Sequence, residues 1–204
     1  MNPLIEDLPV TVWLDGVEYP MNTDFRTSIE FETCMLDPKL TYEDRQEKAL
    51  VLYFGGIPRD VEAALEAILA FYRCDPDFSI EKAQEEPTKP ERPIYSYERD
   101  FKYIYASFLE QYGIDLYATE YLHWWKFKAM FESLNDTTQM KKIMGYRCAK
   151  PEKGMSQEQK NEIKRLHRIW DLPLNEVDQA EEDEFTKILM GDGNIDAFLA
   201  QSRE

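Results

Sequence analysis

Cysteine and histidine, which carry much of familiar protein chemistry, are scarce here: 3 and 2 in 204 residues. Cys34, Cys74 and Cys148 lie far apart and form no C-x-x-C pair. An odd, sparse set of this kind builds neither a disulfide framework nor a zinc site, and reads as reduced thiols buried as small hydrophobes. His123 follows Glu120 by three residues, but a metal site takes three or four ligands, and neither His123 nor His167 has them at ligand spacing. Both histidines are expected to be hydrogen-bonded or exposed. Gly55-Gly56 does not extend to a phosphate-cradling glycine loop, and no G-x-S-x-G nucleophile turn occurs. Asp192-Gly193-Asn194-Ile195-Asp196 offers alternating oxygen ligands for calcium. The loop then has Ala197 where glycine is required and Arg203 where glutamate is required; the register that uses Gly193 starts on Ile188. A plain turn is expected there. No metal, cofactor or catalytic set is expected, and the chain is not expected to be an enzyme.

Apolar runs of the ~20 residues needed to span a bilayer are missing as well. The opening Met1-Asn2-Pro3-Leu4-Ile5-Glu6-Asp7 lacks the basic and apolar regions of a signal peptide. Basic charge is in deficit: 24 Lys and Arg stand against 40 Asp and Glu, a net of −16. Such a surface repels phosphate backbones and anionic lipid, so neither nucleic acid nor a membrane is an expected partner. The charge is uneven. Residues 141–168 hold nine basic and three acidic side chains, and the last 36 residues hold ten acidic and two basic. Pairing of these two regions within one chain, or simple solvation, accounts for them.

Apolar and aromatic residues are plentiful, at 43% and 13% of the chain. Residues 10–14 and 17–19 flank Asp15-Gly16, a pair suited to the positive φ that both central positions of a tight hairpin turn need; Pro20 closes the second strand. Beyond the hairpin the period changes to that of helices. Asn22 or Thr23 caps a helix reaching Leu36. Thr41 caps one that ends at Phe54, before the two glycines. Pro58 and Asp60 open a third, with Val61, Ala64, Leu65, Ile68, Leu69 and Tyr72 on its apolar stripe. A helix over 97–112 has Phe101, Ile104, Tyr105, Phe108, Leu109 and Tyr112 on one stripe, read as core, and stops at Gly113. Thr137 or Thr138 starts a short helix to about Met144 that ends at Gly145, and Ser156 caps one through Trp170.

The segment 119–134 contains two adjacent tryptophans and reads as a helix with two apolar faces. Trp124, Phe127, Phe131 and Leu134 form the wider face and are assigned to the core. Leu122, Trp125 and Ala129 form the narrower one, a candidate for a second packed layer or for contact with a partner helix. The fold class is therefore mainly α: a bundle of about seven helices with a short N-terminal β-hairpin. Four parts are expected. They are residues 1–72 (hairpin plus three helices), an exposed proline-rich charged connection over 73–93, a helical region over 94–173 with the tryptophan helix, and an acidic tail over 174–204 with weak helix.

Four pieces carry a resemblance. They are Tyr103-Ile104-Tyr105-Ala106-Ser107-Phe108, Gln111-Tyr112-Gly113-Ile114-Asp115-Leu116, Tyr121-Leu122-His123-Trp124-Trp125-Lys126-Phe127 and Lys142-Ile143-Met144-Gly145-Tyr146-Arg147. In order and spacing they resemble the bacteriophage gene-product-fifteen family of siphophages and Gram-positive prophages. Trp13-Leu14-Asp15-Gly16-Val17-Glu18-Tyr19-Pro20, with Asp24-Phe25-Arg26 after it, is similar to that family's opening and to phage tail assembly chaperones. The resemblance covers roughly residues 9–148. It implies a tail-morphogenesis protein in the cytoplasm of the bacterial host, a chaperone for helical segments of the tape measure protein or of another tail protein. A structural virion or baseplate component is the rival class, and an enzyme a more distant one. No catalytic residues come with the resemblance.

Overall fold

The computed structural model describes residues 4–77 and 93–172. Among them are two strands and seven helices, the mainly α bundle with an N-terminal hairpin expected from the periodicity. They form two units. One holds residues 4–77 with 121–127, and the other holds residues 93–120 with 128–172. The expected connection over 73–93 lies largely outside the described residues, as do the acidic tail and the Asp192 turn.

In the first unit, β1 (Thr11–Leu14) pairs antiparallel with β2 (Val17–Pro20), Trp13 opposite Glu18. Asp15 and Gly16 take φ of 46° and 74° at the turn, as a two-residue hairpin with right-handed strand twist requires. Helix α1 (Phe25–Met35) is capped by Asp24, whose carboxylate accepts from Arg26 N. Neither Asn22 nor Thr23 is the cap, because long-range pairing claims the backbone there. Thr23 O accepts from Trp124 N (2.8 Å), and Phe25 N donates to Leu122 O (2.9 Å). Helix α2 (Tyr42–Phe54) opens with a reciprocal Thr41–Asp44 capping box and ends at Gly55, in the left-handed conformation at φ 71°.

Helix α3 (Val61–Arg73) is capped by Asp60, as its sequence indicates. Its burial goes further than one stripe, with every residue from Ala67 to Tyr72 buried. It is the central helix of this unit. Phe31, Tyr53 and Phe71 form edge-to-face ring contacts around it, with Phe31–Tyr53 at 5.5 Å and Tyr53–Phe71 at 5.8 Å. Ser28 Oγ and Tyr53 Oη share a buried hydrogen bond of 2.8 Å, and burial pushes the Tyr53 phenol's pKa up.

In the second unit lie α4 (Phe101–Tyr112), α6 (Gln139–Cys148) and α7 (Gln157–Trp170). Helix α4 starts four residues later than its periodicity suggests. Asp100 precedes it but gives it no side-chain cap, since its carboxylate accepts from Ser96 N (2.9 Å) and binds Arg147. Helix α6 is capped by Thr138 and runs through Gly145, which holds no positive φ and ends nothing. It stops at Cys148, two residues ahead of the Lys150-Pro151 step. Ser156 and Gln159 make the capping box of α7. Cys34 and Cys74 are only half-buried and Cys148, in the last turn of α6, is exposed, so burial as small hydrophobes describes none of them fully.

Helix α5 (Trp124–Glu132) begins later than the sequence pattern implies. Leu122 and His123 are held out of the helix by the Thr23–Phe25 pairing, an isolated antiparallel bridge between Asp24 and His123. Asp24 Oδ2 also accepts from Leu122 N at 3.1 Å. His123 then caps the helix start: Trp125 N donates to its Nδ1 at 3.1 Å, and its Nε2 donates to Pro9 O at 3.0 Å. These two bonds define a neutral imidazole, and burial, reinforced by nearby Lys126, holds its pKa below 6.5.

The unfolded chain binds this proton first, so His123 withdraws stability as pH falls from its ordinary 6.5 toward its depressed folded value. Between pH 7.5 and 5.5 the melting temperature of the native protein should therefore fall more than that of His123→Gln. Parallel slopes for the two would dismiss the effect.

Candidate functional site

The tryptophan segment carries the binding face expected from the sequence, Leu122, Trp125 and Ala129. Trp124 is fully buried, its ring stacked on Tyr72 at 5.2 Å and its Nε1 donating to Tyr72 O at 2.8 Å. Trp125 is 6 % exposed, lies 5.9 Å from the Phe71 ring and donates Nε1 to Phe71 O, also at 2.8 Å. Both acceptors are carbonyls in the last turn of α3, where helix geometry leaves carbonyls without intrahelical partners. Consecutive indoles, about 100° apart around α5, thus meet consecutive carbonyls. Of the two roles open to the narrower face, second layer or partner contact, Trp125 has the first. Leu122 lies before the helix and is half-buried, and Ala129 is exposed. Leu122, Trp125 and Ala129 do not make one open stripe. Trp124, Phe127, Phe131 and Leu134, assigned to the core, are all buried.

The open apolar surface is on α4 instead. Its inner side, Ile104, Ser107 and Phe108, is buried. Ser107 Oγ accepts from Met140 N (3.3 Å), which fixes α4 against α6. At its C-terminal end Tyr112 Oη donates to Met130 O (2.8 Å), and the Gln111 amide spans Ser133 O (3.1 Å) and Asn135 N (2.8 Å). At its N-terminal end Asp100 meets Arg147 through two bonds, Nη1–Oδ2 at 2.6 Å and Nη2–Oδ1 at 2.9 Å. The helix is thus held on its inner side and at both ends.

Its outer side carries Phe101, Tyr105 and Leu109 at intervals of four. Phe101 is 55 % exposed, Leu109 44 % exposed and Tyr105 half-buried. The row runs about 12 Å along the helix. Tyr117, 72 % exposed, widens it, with its ring centroid 4.9 Å from that of Tyr105. A turn built on Asp115 presents Tyr117: the carboxylate accepts from Tyr117 N (2.9 Å) and Ala118 N (3.1 Å), and the carbonyl accepts from Thr119 Oγ1 (2.7 Å). Partial burial, then the adjacent and hydrogen-bonded Asp115, push the Tyr105 phenol's pKa up, so it stays a neutral aromatic surface. Exposed Lys102 and Glu110 flank the row.

Phe101 and Leu109 share a 3.6-residue stripe with Ile104 and Phe108, which is why periodicity assigns them to the core. Only one edge of that wide stripe is covered. A row of large apolar groups on a firmly held helix with a polar rim suits recognition of another amphipathic helix. It offers no chemistry of its own. Among the described residues no group of acidic, cysteine or histidine side chains could hold a metal ion, and no helix is long and apolar enough to cross a membrane. Both histidines are hydrogen-bonded, His167 through Asp171 Oδ1 (2.7 Å) and Ala149 O (2.8 Å).

A family profile described as "Bacteriophage Gp15 protein" matches residues 4–172. No curated protein and no solved structure matches the chain significantly.

Proposed function

Since the chain belongs to the bacteriophage Gp15 protein family, we propose that it is a tail-morphogenesis protein, an assembly chaperone that holds helical segments of the tape measure protein in the cytoplasm of the bacterial host. The observation that carries this reading is the exposed Phe101–Tyr105–Leu109 row with Tyr117 beside it. A long helical client has apolar faces that must be covered until tube subunits replace the chaperone, and an apolar row at intervals of four is the complement of such a face. The net charge of −16 favours keeping such a complex in solution.

Co-expression with the tape measure protein encoded nearby, followed by a pull-down, tests the proposal. The two proteins should purify together, and Phe101→Ser with Leu109→Ser should weaken that association about tenfold, the loss of ~1.4 kcal/mol expected when interface apolar groups are removed. Exposed positions of this kind leave the fold's stability nearly unchanged. Finished particles should lack the protein. Its retention at fixed copy number would make it a structural component of the virion.

A further inference from the structure

The charges along α4 run against its own dipole. A helix is stabilised by acidic residues in its first turn and basic ones in its last. Helix α3 follows that rule with Glu62 and Arg73, and α7 with Glu158 and Arg168. Helix α4 has no acidic residue in its first turn and no basic one in its last. Lys102 stands near the start and Glu110 near the end, both exposed. Before the helix, exposed Glu98 and Arg99 offset each other, and Asp100 is bound to Arg147. Asp115 adds a carboxylate beside Tyr105, in the middle of the row. The exposed row therefore lies in a field that is positive at Phe101 and negative at Leu109, with side chains and helix dipole acting in the same sense.

We infer that the occupant of this row is an amphipathic helix docked antiparallel to α4, its basic residues in its N-terminal half against Glu110 and its acidic residues against Lys102. In that orientation the partner's positive pole meets Glu110, its negative pole meets Lys102, and its apolar stripe covers Phe101, Tyr105 and Leu109. A parallel helix would set like poles together at both ends. The charges on α4 cost the isolated helix stability and serve orientation. This inference rests on the α4 row being the client-binding surface and adds the chemistry and direction of what binds.

Two synthetic 18-residue Leu/Ala amphipathic peptides test it. Each has zero net charge; one carries Lys in its first half and Glu in its second, and the other the reverse. Equal net charge removes general attraction to an acidic protein from the comparison. Fluorescence anisotropy with the full chain at low salt should give several-fold tighter binding of the Lys-first peptide. The double variant Lys102→Glu/Glu110→Lys should reverse the preference. Its melting temperature should hold or rise, because those substitutions agree with the helix dipole, which separates orientation of a partner from support of the fold. Equal affinities, or a preference the double variant leaves alone, would overturn the inference. Preference for the Lys-first peptide without co-purification of the tape measure protein would keep the docking geometry and reject that client.

Discussion

Trp124→Ala and Trp125→Ala should each destabilise the protein by about 3–5 kcal/mol, the usual cost of emptying a buried indole site. Against a typical total of ~5–15 kcal/mol, either loss is severe. Two physical effects combine. Trp124 loses stacking on Tyr72 and on Phe127, the latter at 5.7 Å, and Trp125 loses the Phe71 and His123 rings, each at 5.9 Å. Trp124→Ala also takes the indole donor from Tyr72 O, and Trp125→Ala removes one of two donors to Phe71 O, which keeps Cys74 N at 3.0 Å. Phe at either site keeps most of the ring and drops the hydrogen bond, so Trp124→Phe and Trp125→Phe should cost about 1–3 kcal/mol. Urea denaturation followed by circular dichroism measures all four. Near-neutrality of Trp125→Ala would return that side chain to the role of a free binding face.

The burial of both tryptophans was not legible in the sequence, and the reason lies in distant backbone pairing. The helical pattern over 119–134 counts Leu122 with Trp125 and Ala129, yet Leu122 is drawn out of the helix by pairing with Asp24 and Phe25, about a hundred positions away. Periodicity has no access to such a contact. Where the deciding chemistry is local, the sequence shows it. Asp15-Gly16 makes its turn, Thr41 with Asp44 and Ser156 with Gln159 make their capping boxes, and Gly55 and Gly113 end helices in the left-handed conformation. Gly145 shows the limit of the same rule, since a glycine ends a helix only where positive φ is adopted, and here it is not. The α4 surface was hidden for another reason. Six apolar positions on one helix describe a wedge wider than one neighbour covers, and sequence alone does not tell the covered edge, Ile104 and Phe108, from the open one, Phe101 and Leu109. The reversed charges of Lys102 and Glu110 were the available signal.

Arg147→Ala should be the comparable disruption of the second unit, at about 3–5 kcal/mol, because it strands a buried carboxylate. Arg147 and Asp100 are 6 % and 4 % exposed at their side chains. The guanidinium gives both Nη atoms to Asp100, donates Nη1 also to Ile94 O at 3.0 Å, and donates Nε to Trp170 O at 2.6 Å. One side chain at the end of α6 therefore ties together the start of α4, the end of α7 and the chain entering at Ile94. Arg147→Lys keeps the charge but lacks the planar fork, so it cannot serve these acceptors together and should recover only part of the loss. The double variant Asp100→Leu/Arg147→Met separates the strength of the pair from the penalty of a lone charge. A buried ion pair gains little over well-packed apolar groups once desolvation is counted, so the double variant should be markedly more stable than Arg147→Ala. Additive losses in the double variant would instead assign the stabilisation to the hydrogen bonds with Ile94 and Trp170. Because α4 carries the proposed docking row and Asp100 stands at its start, Arg147→Ala should also weaken client binding although Arg147 lies outside that row. The double variant, with α4 again held in place, should regain it.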